Sequence, residues 1–206
     1  MMTQGKVPMT GILLAGGKSS RMGKNKALLP FEGKTVLEHL GKIFSSVFEQ
    51  TLIIVDDKKK YCHLDSWDGF FYEDLVKDRG PLGGLATGFF YAVYPICFVS
   101  TCDMPLIHES FIRSMIKAWK GEPWDALCTE NPEEGLQPFP AIYKRENRSL
   151  IRVLLDVGHL SLHRLFEVIS VDRWPLLEEF RSLLINMNTP EDYAAVLEKR
   201  KVFCGQ

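Results

Sequence analysis

Residues Thr10 to Lys26 read T-G-I-L-L-A-G-G-K-S-S-R-M-G-K-N-K, and this stretch decides the fold. Its short apolar run, Ile12-Leu13-Leu14, predicts a buried strand. The strand ends at Ala15-Gly16-Gly17, where glycine lets the backbone approach a ligand closely. Backbone N–H groups in such a turn form an anion-binding site, which nearby cations complete. Four cations follow within nine residues: Lys18, Arg21, Lys24 and Lys26. The stretch therefore predicts a strand followed by a cradle for the phosphates of a nucleotide.

Two better-known phosphate-binding motifs do not fit this stretch. The dinucleotide motif needs G-x-G-x-x-G, a spacing that Gly16 and Gly17 do not provide. The P-loop needs G-x-x-x-x-G-K-[ST], and its first glycine would fall at Ile12, inside the predicted strand. An ordinary strand-to-helix turn with solvated charges is the alternative. The density of cations directly after two glycines disfavours it.

The composition is that of a globular protein with one sizeable core. The chain has 206 residues, of which 46% are hydrophobic and 25% charged, with a formal net charge of −1. This length suits a single domain over residues 1–206. The near-zero net charge argues against nucleic-acid and membrane partners, and no apolar run approaches the ~20 residues of a membrane span. The five cysteines share no C-x-x-C spacing, and three lie in or beside apolar runs, so we expect reduced thiols and a cytoplasmic protein.

The rest of the chain predicts alternating strands and helices. Thr35 and Glu38 predict the capping box of a helix that runs to about Phe48. Further strands are expected at 51–55, 70–72, 96–100, 126–129, 139–143 and 168–171, and further helices at 85–94, 108–119, 148–156, 161–166 and to about 199. A loop is expected at 131–138. The early alternation favours a parallel sheet that helices cover on both faces.

In such a sheet, ligands bind beyond the carboxyl ends of the strands. This rule places Gly16, Asp56, Asp74 and Asp103 along one rim. Asp103 follows a predicted strand directly, and a carboxylate there suits Mg²⁺, which takes carboxylate and substrate phosphate oxygens. A turn or capping role for Asp103 is the alternative. The basic glycine loop on the same rim favours the metal.

A second glycine-rich segment, Gly80-Pro81-Leu82-Gly83-Gly84, precedes a predicted helix. Its rigid proline and bare backbone would let a flat ring lie against the main chain, whose N–H and C=O groups could read the edge of the ring. The simple start of a helix is the alternative, since proline is favourable in a first helical turn.

These motifs carry a resemblance to a known family. Leu14-Ala15-Gly16-Gly17, followed by Arg21-Met22-Gly23 and Lys26, resembles the opening of the molybdenum cofactor guanylyltransferases, L-A-G-G-x-x-x-R-M-G-x-D-K. Asn25 stands where that family usually has Asp, which weakens the role of one carboxylate. The resemblance covers about residues 10–193 and implies an α/β fold, the three-layer αβα Rossmann-like nucleotidyltransferase fold with a mostly parallel sheet.

The resemblance also implies a reaction and its residues. GMP would pass from GTP to the terminal phosphate of molybdenum-molybdopterin, with Mg²⁺ as cofactor and Asp103 as its ligand. The implied catalytic residues are Arg21, Lys26 and Asp103. The implied nucleotide-binding residues are Leu14, Ala15, Gly16, Gly17, Lys26, Asp56 (a loose match), Asp74, Pro81, Leu82, Gly83 and Asp103. Residues that match motifs on the acceptor side are Gln137, Pro138, Pro140, Asn186 and Asn188. Expected protein partners are molybdenum-insertion enzymes, chaperones and acceptor molybdoenzymes.

Two other functions stay open at this point. A cytidylyltransferase acting on the same pterin, or a sugar-phosphate enzyme, would share the fold, although sugar-phosphate enzymes usually carry G-x-G-T-R in the first loop. A non-catalytic nucleotide-binding protein is the more distant alternative. The joint presence of Arg21, Lys26 and Asp103 disfavours it, because binding alone does not need the full set. The five histidines are scattered and match no zinc spacing.

Overall fold

The computed structural model describes residues 5–16, 23–64 and 70–204. Gly17 and Arg21, two of the predicted site residues, lie outside these ranges. The described strands are β1 (Val7–Leu14), β2 (Pro30–Phe31), β3 (Lys34–Thr35), β4 (Phe48–Val55), β5 (Phe70–Glu73), β6 (Ile96–Thr101), β7 (Ala126–Asn131), β8 (Gly135–Lys144) and β9 (Val171–Pro175). The described α-helices are α1 (Val36–Val47), α2 (Gly80–Tyr91), α3 (Glu109–Ala118), α4 (Arg148–Asp156), α5 (Leu162–Phe166), α6 (Glu178–Arg181) and α7 (Pro190–Cys204).

Seven of these strands form one sheet in the order β5-β4-β1-β6-β8-β7-β9. β8 runs antiparallel to both of its neighbours, and the other pairs are parallel. At the end of β1, Leu14 pairs with Ile54 of β4 and with Thr101 of β6. Three strands therefore end side by side, and the prediction of a mostly parallel sheet is confirmed.

Helices cover both faces of the sheet. Successive side chains of a strand point to opposite faces, so Leu13 belongs to the buried cluster that includes residues of α1 and α3. Ile12 and Leu14 belong to the cluster that includes residues of α2, α4 and α5. The three-layer αβα architecture is therefore confirmed. No described helix combines the length and apolar character that crossing a membrane requires.

The start of α1 is confirmed in detail. The Thr35 hydroxyl accepts a hydrogen bond from the Glu38 backbone N–H at 3.2 Å. The Glu38 carboxylate accepts one from the Thr35 backbone N–H at 2.8 Å. These reciprocal bonds form the predicted capping box and satisfy two N–H groups that the helix itself leaves unpaired.

Three predicted elements are wrong in their bounds. The helix expected at 85–94 begins at Gly80 and ends at Tyr91, so the second glycine-rich segment is the first turn of α2. The strand expected at 168–171 is β9 instead, because the Val168 N–H bonds back to Leu165 and the pairing with β7 starts only at Val171. Much of the loop expected at 131–138 is strand, since β7 and β8 pair up to Asn131 and Gly135.

Two adjacent glycines of α2 differ in the atoms that a side chain at their position would meet. A Cβ on Gly83 would lie 2.6 Å from the carbonyl oxygen of Val76, which is backbone and has no rotamer to change. A Cβ on Gly84 would lie 3.3 Å from Cδ2 of Leu14, a flexible side chain. We expect Gly83→Ala to lower the free energy of unfolding by about 1–3 kcal/mol, as overpacking does, despite the better helix propensity of alanine.

Gly84→Ala is the matched control, and we expect a smaller loss because Leu14 can adjust. Urea denaturation of both variants measures the difference. Equal stability of the two variants would contradict the close contact at Gly83.

Candidate active site

A cavity of about 1200 Å³ opens where β1, β4 and β6 end. This volume exceeds the range of roughly 300–1,000 Å³ that is typical of ligand sites. The wall includes residues from the three strand ends, from the first turn of α2 and from the segment between α4 and α5, among them Leu14, Gly16, Asn25, Asp56, Asp74, Pro81, Thr101 and Leu160. Three residues of the rim predicted from the sequence, Gly16, Asp56 and Asp74, line this cavity. The fourth, Asp103, is not among its described lining residues, although Thr101, which bonds to Asp103, is.

The end of β1 presents backbone to this cavity. Leu14 and Ala15 are buried, and the Ala15 N–H donates to the Ile54 carbonyl at 2.8 Å, which continues the pairing with β4 by one residue. Gly16 is exposed, and a Cβ on it would lie 3.2 Å from the backbone nitrogen of Asp56. Glycine thus lets the chain leave the sheet close to β4 with its backbone open to a ligand.

Lys26 follows the basic loop and is held by a residue far along the chain. Its Nζ donates to Oδ1 of Asn188 at 2.6 Å. The Asn188 and Thr189 backbone N–H groups in turn donate to Oδ2 of Asp192, at 2.9 and 2.8 Å. These bonds hold the pKa of the Asp192 carboxyl below its ordinary value, chiefly through the Asn188 N–H and then the Thr189 N–H. The structure therefore joins predicted catalytic Lys26 to predicted acceptor-side Asn188.

Asp103 lies just beyond β6 and is fixed from two sides. The Thr101 hydroxyl donates to its Oδ1, and its backbone carbonyl accepts from the N–H of the fully buried Met187 at 2.7 Å. The preceding Cys102 N–H donates to the Leu14 carbonyl at 3.1 Å, which ties this turn to the end of β1. Burial first, and the Asp103 charge second, raise the pKa of the Cys102 thiol to about 12, so this cysteine stays protonated and unreactive.

Asp56 and Asp74 line the cavity, and both also hold local structure. Asp56 Oδ2 lies 2.5 Å from the Lys60 ammonium, so part of its charge is neutralised. Asp74 Oδ1 accepts from the Val76 N–H at 2.9 Å and from the Thr87 hydroxyl at 2.7 Å. Asp74 therefore fastens the segment before α2 onto that helix. Their contacts with a nucleotide stay predictions.

The residues predicted to form the base pocket lie in the first turn of α2, where they face different directions. Pro81 is exposed and lines the cavity, together with Gly80 and Gly84. Leu82 is fully buried in the core, and Gly83 lies under the Val76 carbonyl. Because a helix turns successive residues by about 100°, the five residues cannot all face one ligand. Direct contact of Leu82 and Gly83 with a base stays a prediction.

The acceptor-side residues of β8 lie at the same edge of the sheet, in a bulge. Cys128 of β7 pairs with Ala141 of β8, but the next residue, Thr129, pairs with Gln137. Moving one residue along β7 therefore corresponds to moving four residues along β8. The extra residues are Pro138 to Pro140, and the Tyr143 hydroxyl donates to the Pro138 carbonyl at 2.8 Å. Gln137, Pro138 and Pro140 do not belong to the described wall of the cavity. Asn186 is exposed beside the segment that holds Asp103 and Lys26.

Sequence reasoning missed several residues that shape the site. Thr101 orients Asp103, and Asp192 orients Asn188. Asp192 could have been found, because it stands three residues after Thr189 and both bonds of a capping box form there. Leu160 reaches the cavity from the segment before α5, and Tyr61 bonds to Ala15. No sequence signal marks either of them, since their positions depend on how distant segments pack.

The site can be tested for its fit to a metal ion. Within 5–16, 23–64 and 70–204, no group of three or more His, Cys, Asp or Glu residues could hold a metal. Asp103 offers one half-buried carboxylate, which is bonded to the cavity-lining Thr101. A single carboxylate suits Mg²⁺, whose remaining positions are commonly filled by substrate phosphates and waters. The donor set therefore fits a metal that arrives with a nucleotide.

Comparison with known proteins gives a consistent result. Residues 11–173 match the family described as MobA-like NTP transferase domain. A molybdenum cofactor guanylyltransferase of Syntrophotalea carbinolica is 29% identical over 190 residues, 89% of this chain and 88% of that protein. A molybdenum cofactor guanylyltransferase of Desulfosudis oleivorans is 30% identical over 166 residues, 79% of each chain.

A solved structure supports the same fold. Molybdopterin-guanine dinucleotide biosynthesis protein A of Archaeoglobus fulgidus superposes with a TM-score of 0.79 at 24% identity, covering 94% of this chain and 99% of that one. At this identity the likeness concerns the fold alone.

The Asp192 carboxylate provides a prediction about pH. Because its pKa is lowered in the folded protein, it stabilises the fold above its ordinary pKa of 3.8, and this stabilisation is lost as pH falls through the lowered value. We expect Asp192→Asn to reduce the free energy of unfolding at pH 7, and to differ less from the wild type at pH 3. Urea denaturation at both pH values measures this.

Glu191→Gln is the matched control, since Glu191 is an exposed acid in the same first turn of α7. Glu191 and Asp192 both lie at the N-terminal end of α7, so the helix dipole acts on the two carboxylates in the same way. An equal loss of stability in both variants would mean that the two backbone bonds of Asp192 add nothing.

Proposed function

This chain belongs to the family of MobA-like NTP transferase domains, and we propose that it transfers GMP from GTP to the terminal phosphate of molybdenum-molybdopterin. The products are the molybdopterin guanine dinucleotide cofactor and pyrophosphate. The observation that carries the proposal is a cavity lined by Leu14 and Gly16 at the end of β1, by Asn25 and by Thr101. Lys26 directly follows Asn25 and bonds to Asn188, and Asp103 accepts a hydrogen bond from Thr101. The names of relatives that cover most of the chain supply the substrates.

The reaction is an in-line displacement at phosphorus. An oxygen of the acceptor's terminal phosphate forms a bond to the α-phosphorus of GTP, and the bond from that phosphorus to the α,β-bridging oxygen breaks. The acceptor oxygen is already ionised at neutral pH, so no general base is required. Catalysis then consists of alignment and neutralisation of charge.

Gly16, Lys26 and Arg21 are proposed to meet both needs. The exposed backbone at Gly16 offers N–H groups to phosphate oxygens. Lys26 places its ammonium where charge builds on the leaving pyrophosphate, and Asn188 limits the positions that the long lysine side chain can take. Arg21, outside the described residues, is proposed to share this task because a guanidinium binds phosphate with two parallel hydrogen bonds.

Asp103 is the proposed ligand of Mg²⁺. When bound, the ion would neutralise the charge of the phosphate oxygens and favour their in-line arrangement. The Thr101 hydroxyl and the Met187 N–H hold Asp103 in place before any ligand arrives. This preorganisation means that the carboxylate need not be reoriented during the reaction.

The wider setting of the reaction is also part of the proposal. We place the enzyme in the cytoplasm, where molybdenum-insertion enzymes would provide the acceptor, and acceptor molybdoenzymes or their chaperones would take the product. These expectations rest on the family resemblance. They are independent of the geometry of the cavity.

Asp103→Asn tests the proposed metal ligand. The substitution keeps the shape of the side chain but removes its charge, and we expect turnover to fall on the order of a thousandfold with the fold intact. Pyrophosphate release and a thermal melt measure both. Asp156→Asn, an exposed carboxylate on α4, is the control that should keep full activity. Near-normal turnover of a folded Asp103→Asn protein would remove Asp103 from the metal site.

The choice of nucleotide tests the proposed substrate. Guanine presents two neighbouring donors and an acceptor, and a buried wrong base would leave polar groups of the site unpaired. We expect kcat/KM for GTP to exceed that for ATP and CTP by at least about a hundredfold, or roughly 2.7 kcal/mol. A preference for CTP would replace guanylyl by cytidylyl transfer and leave the site as described. Binding of GTP without any pyrophosphate release would favour a non-catalytic protein.

A further inference from the structure

Tyr61 connects the two described ends of the basic loop. Its side chain is 2% exposed, at the end of a short 3-10 turn, Lys58–Tyr61, that follows β4. Its hydroxyl donates to the Ala15 carbonyl at 3.2 Å, where β1 has just ended. The same hydroxyl oxygen accepts from Nδ2 of Asn25 at 2.8 Å. Tyr61 therefore touches the chain before Gly16 and after Lys24.

The donor and acceptor groups of Ala27, Asn25, Tyr61 and Ala15 fix the direction of each hydrogen bond that links them. The Ala27 backbone N–H can only donate, and it lies 3.1 Å from Oδ1 of Asn25. The other end of the Asn25 amide is therefore the NH₂ group, which can only donate, and it does so to Tyr61. The single proton of Tyr61 then goes to the Ala15 carbonyl, which can only accept. Each donor in this series therefore has an acceptor, and the hydrogen bonds can be arranged in only one way.

Burial keeps the Tyr61 hydroxyl protonated at the pH of ordinary assays. It raises the pKa of Tyr61 to about 12, and the Asn25 bond opposes this shift only in part. The phenol thus keeps its proton and remains a donor to Ala15. The Tyr61 ring itself is held by stacking on Phe71, with a centroid distance of 5.9 Å.

An aspartate at position 25 could not replace the asparagine in this chain of bonds. Both oxygens of a carboxylate accept, so the one facing Tyr61 would compete with the Ala15 carbonyl for one proton. Ala15 is 4% exposed, and an unpaired buried carbonyl is unfavourable. Asn25, the residue that departs from the resembled motif, is therefore the one that Tyr61 requires.

We propose that Asn25 and Tyr61 are positioning residues that hold Lys26 in place relative to the end of β1. Asn25 caps the 3-10 turn Lys26–Leu28, in which Lys26 is the first residue. Through Tyr61 this turn is tied to Ala15, next to the exposed Gly16 backbone. The proposal rests on the proposed function, because Lys26 and the Gly16 backbone are taken to bind the phosphates of GTP.

The consequence concerns nucleotide binding more than the chemical step. With the bonds intact, the backbone and the ammonium are in place before GTP binds, so little ordering is needed at that moment. Without them, part of the binding free energy goes into ordering the two segments. We expect Tyr61→Phe to raise the Kd and KM for GTP about tenfold, as the loss of a buried hydrogen bond does. The KM for the acceptor and kcat should change less than about threefold.

The experiment compares Tyr61→Phe, Asn25→Asp and the double variant. Asn25→Asp keeps an oxygen for the Ala27 N–H but removes the donor to Tyr61. Because Asn25 is a half-buried loop residue, we expect this variant to fold even where Tyr61→Phe does not. We expect each single variant to weaken GTP binding and the double variant to add less than twofold. Tyr94→Phe is the control, because the Tyr94 hydroxyl bonds to Glu49 at the opposite edge of the sheet. Calorimetry, steady-state kinetics and melting curves give the three readouts.

Several outcomes would overturn the proposal. Unchanged GTP binding in folded Asn25→Asp would show that the bonds position nothing. Fully additive effects in the double variant would mean a plain effect of the new charge, and such an effect would also weaken in high salt. Equal losses in the Kd for GTP, the KM for the acceptor and kcat would indicate general damage. Failure of the proposed function is distinct, since it would appear in the wild type as absent GTP turnover or a preference for CTP.

Discussion

The parallel register of β1 with β4 and β6 is the constraint on which the site depends. Leu14 pairs with both Ile54 and Thr101, and backbone bonds continue past the strands, from Ala15 to Ile54 and from Cys102 to Leu14. A slip of one residue would turn every side chain of β1 to the other face of the sheet. Because both faces of the sheet are buried, the register is strongly specified. The end of β1 is therefore fixed beside the end of β6, which Asp103 follows.

Close packing of α2 on this strand is the second requirement. A Cβ on Gly88 would lie 2.8 Å from Cγ2 of Ile12, and one on Gly83 would lie 2.6 Å from the Val76 carbonyl. The glycines of α2 thus serve first to let a helix approach the sheet and its preceding loop, a role that the interior of a helix normally disfavours. The first turn of α2 reaches the cavity because of this approach, through Gly80, Pro81 and Gly84.

The site is completed by a segment from the far end of the chain. Met187 bonds to the Asp103 carbonyl, and Asn188 bonds to Lys26 across 162 residues. Asp192 holds this segment by two backbone bonds. The segment therefore connects Lys26, which follows β1, with Asp103, which follows β6. Asn188, predicted to lie on the acceptor side, bonds to Lys26, predicted to bind the nucleotide. Residues predicted to bind the nucleotide and residues predicted to lie on the acceptor side thus belong to one hydrogen-bonded framework.

The sequence alone determined the local structure and the class of site. Apolar runs specified β1, β4 and β6, the Thr35–Glu38 pair specified the start of α1, and the strand ends specified the rim on which Asp56, Asp74 and Asp103 lie, because these signals act within a few residues. Tertiary structure decided the rest. The bounds of α2 and β9 follow from packing and pairing partners, the bulge at Pro138 to Pro140 follows from the register with β7, and the bonds of Lys26 to Asn188 and of Asn25 to Tyr61 join segments whose proximity no local pattern encodes. Hydrogen bonds between distant residues form only after the hydrophobic layers have brought their strands and helices together.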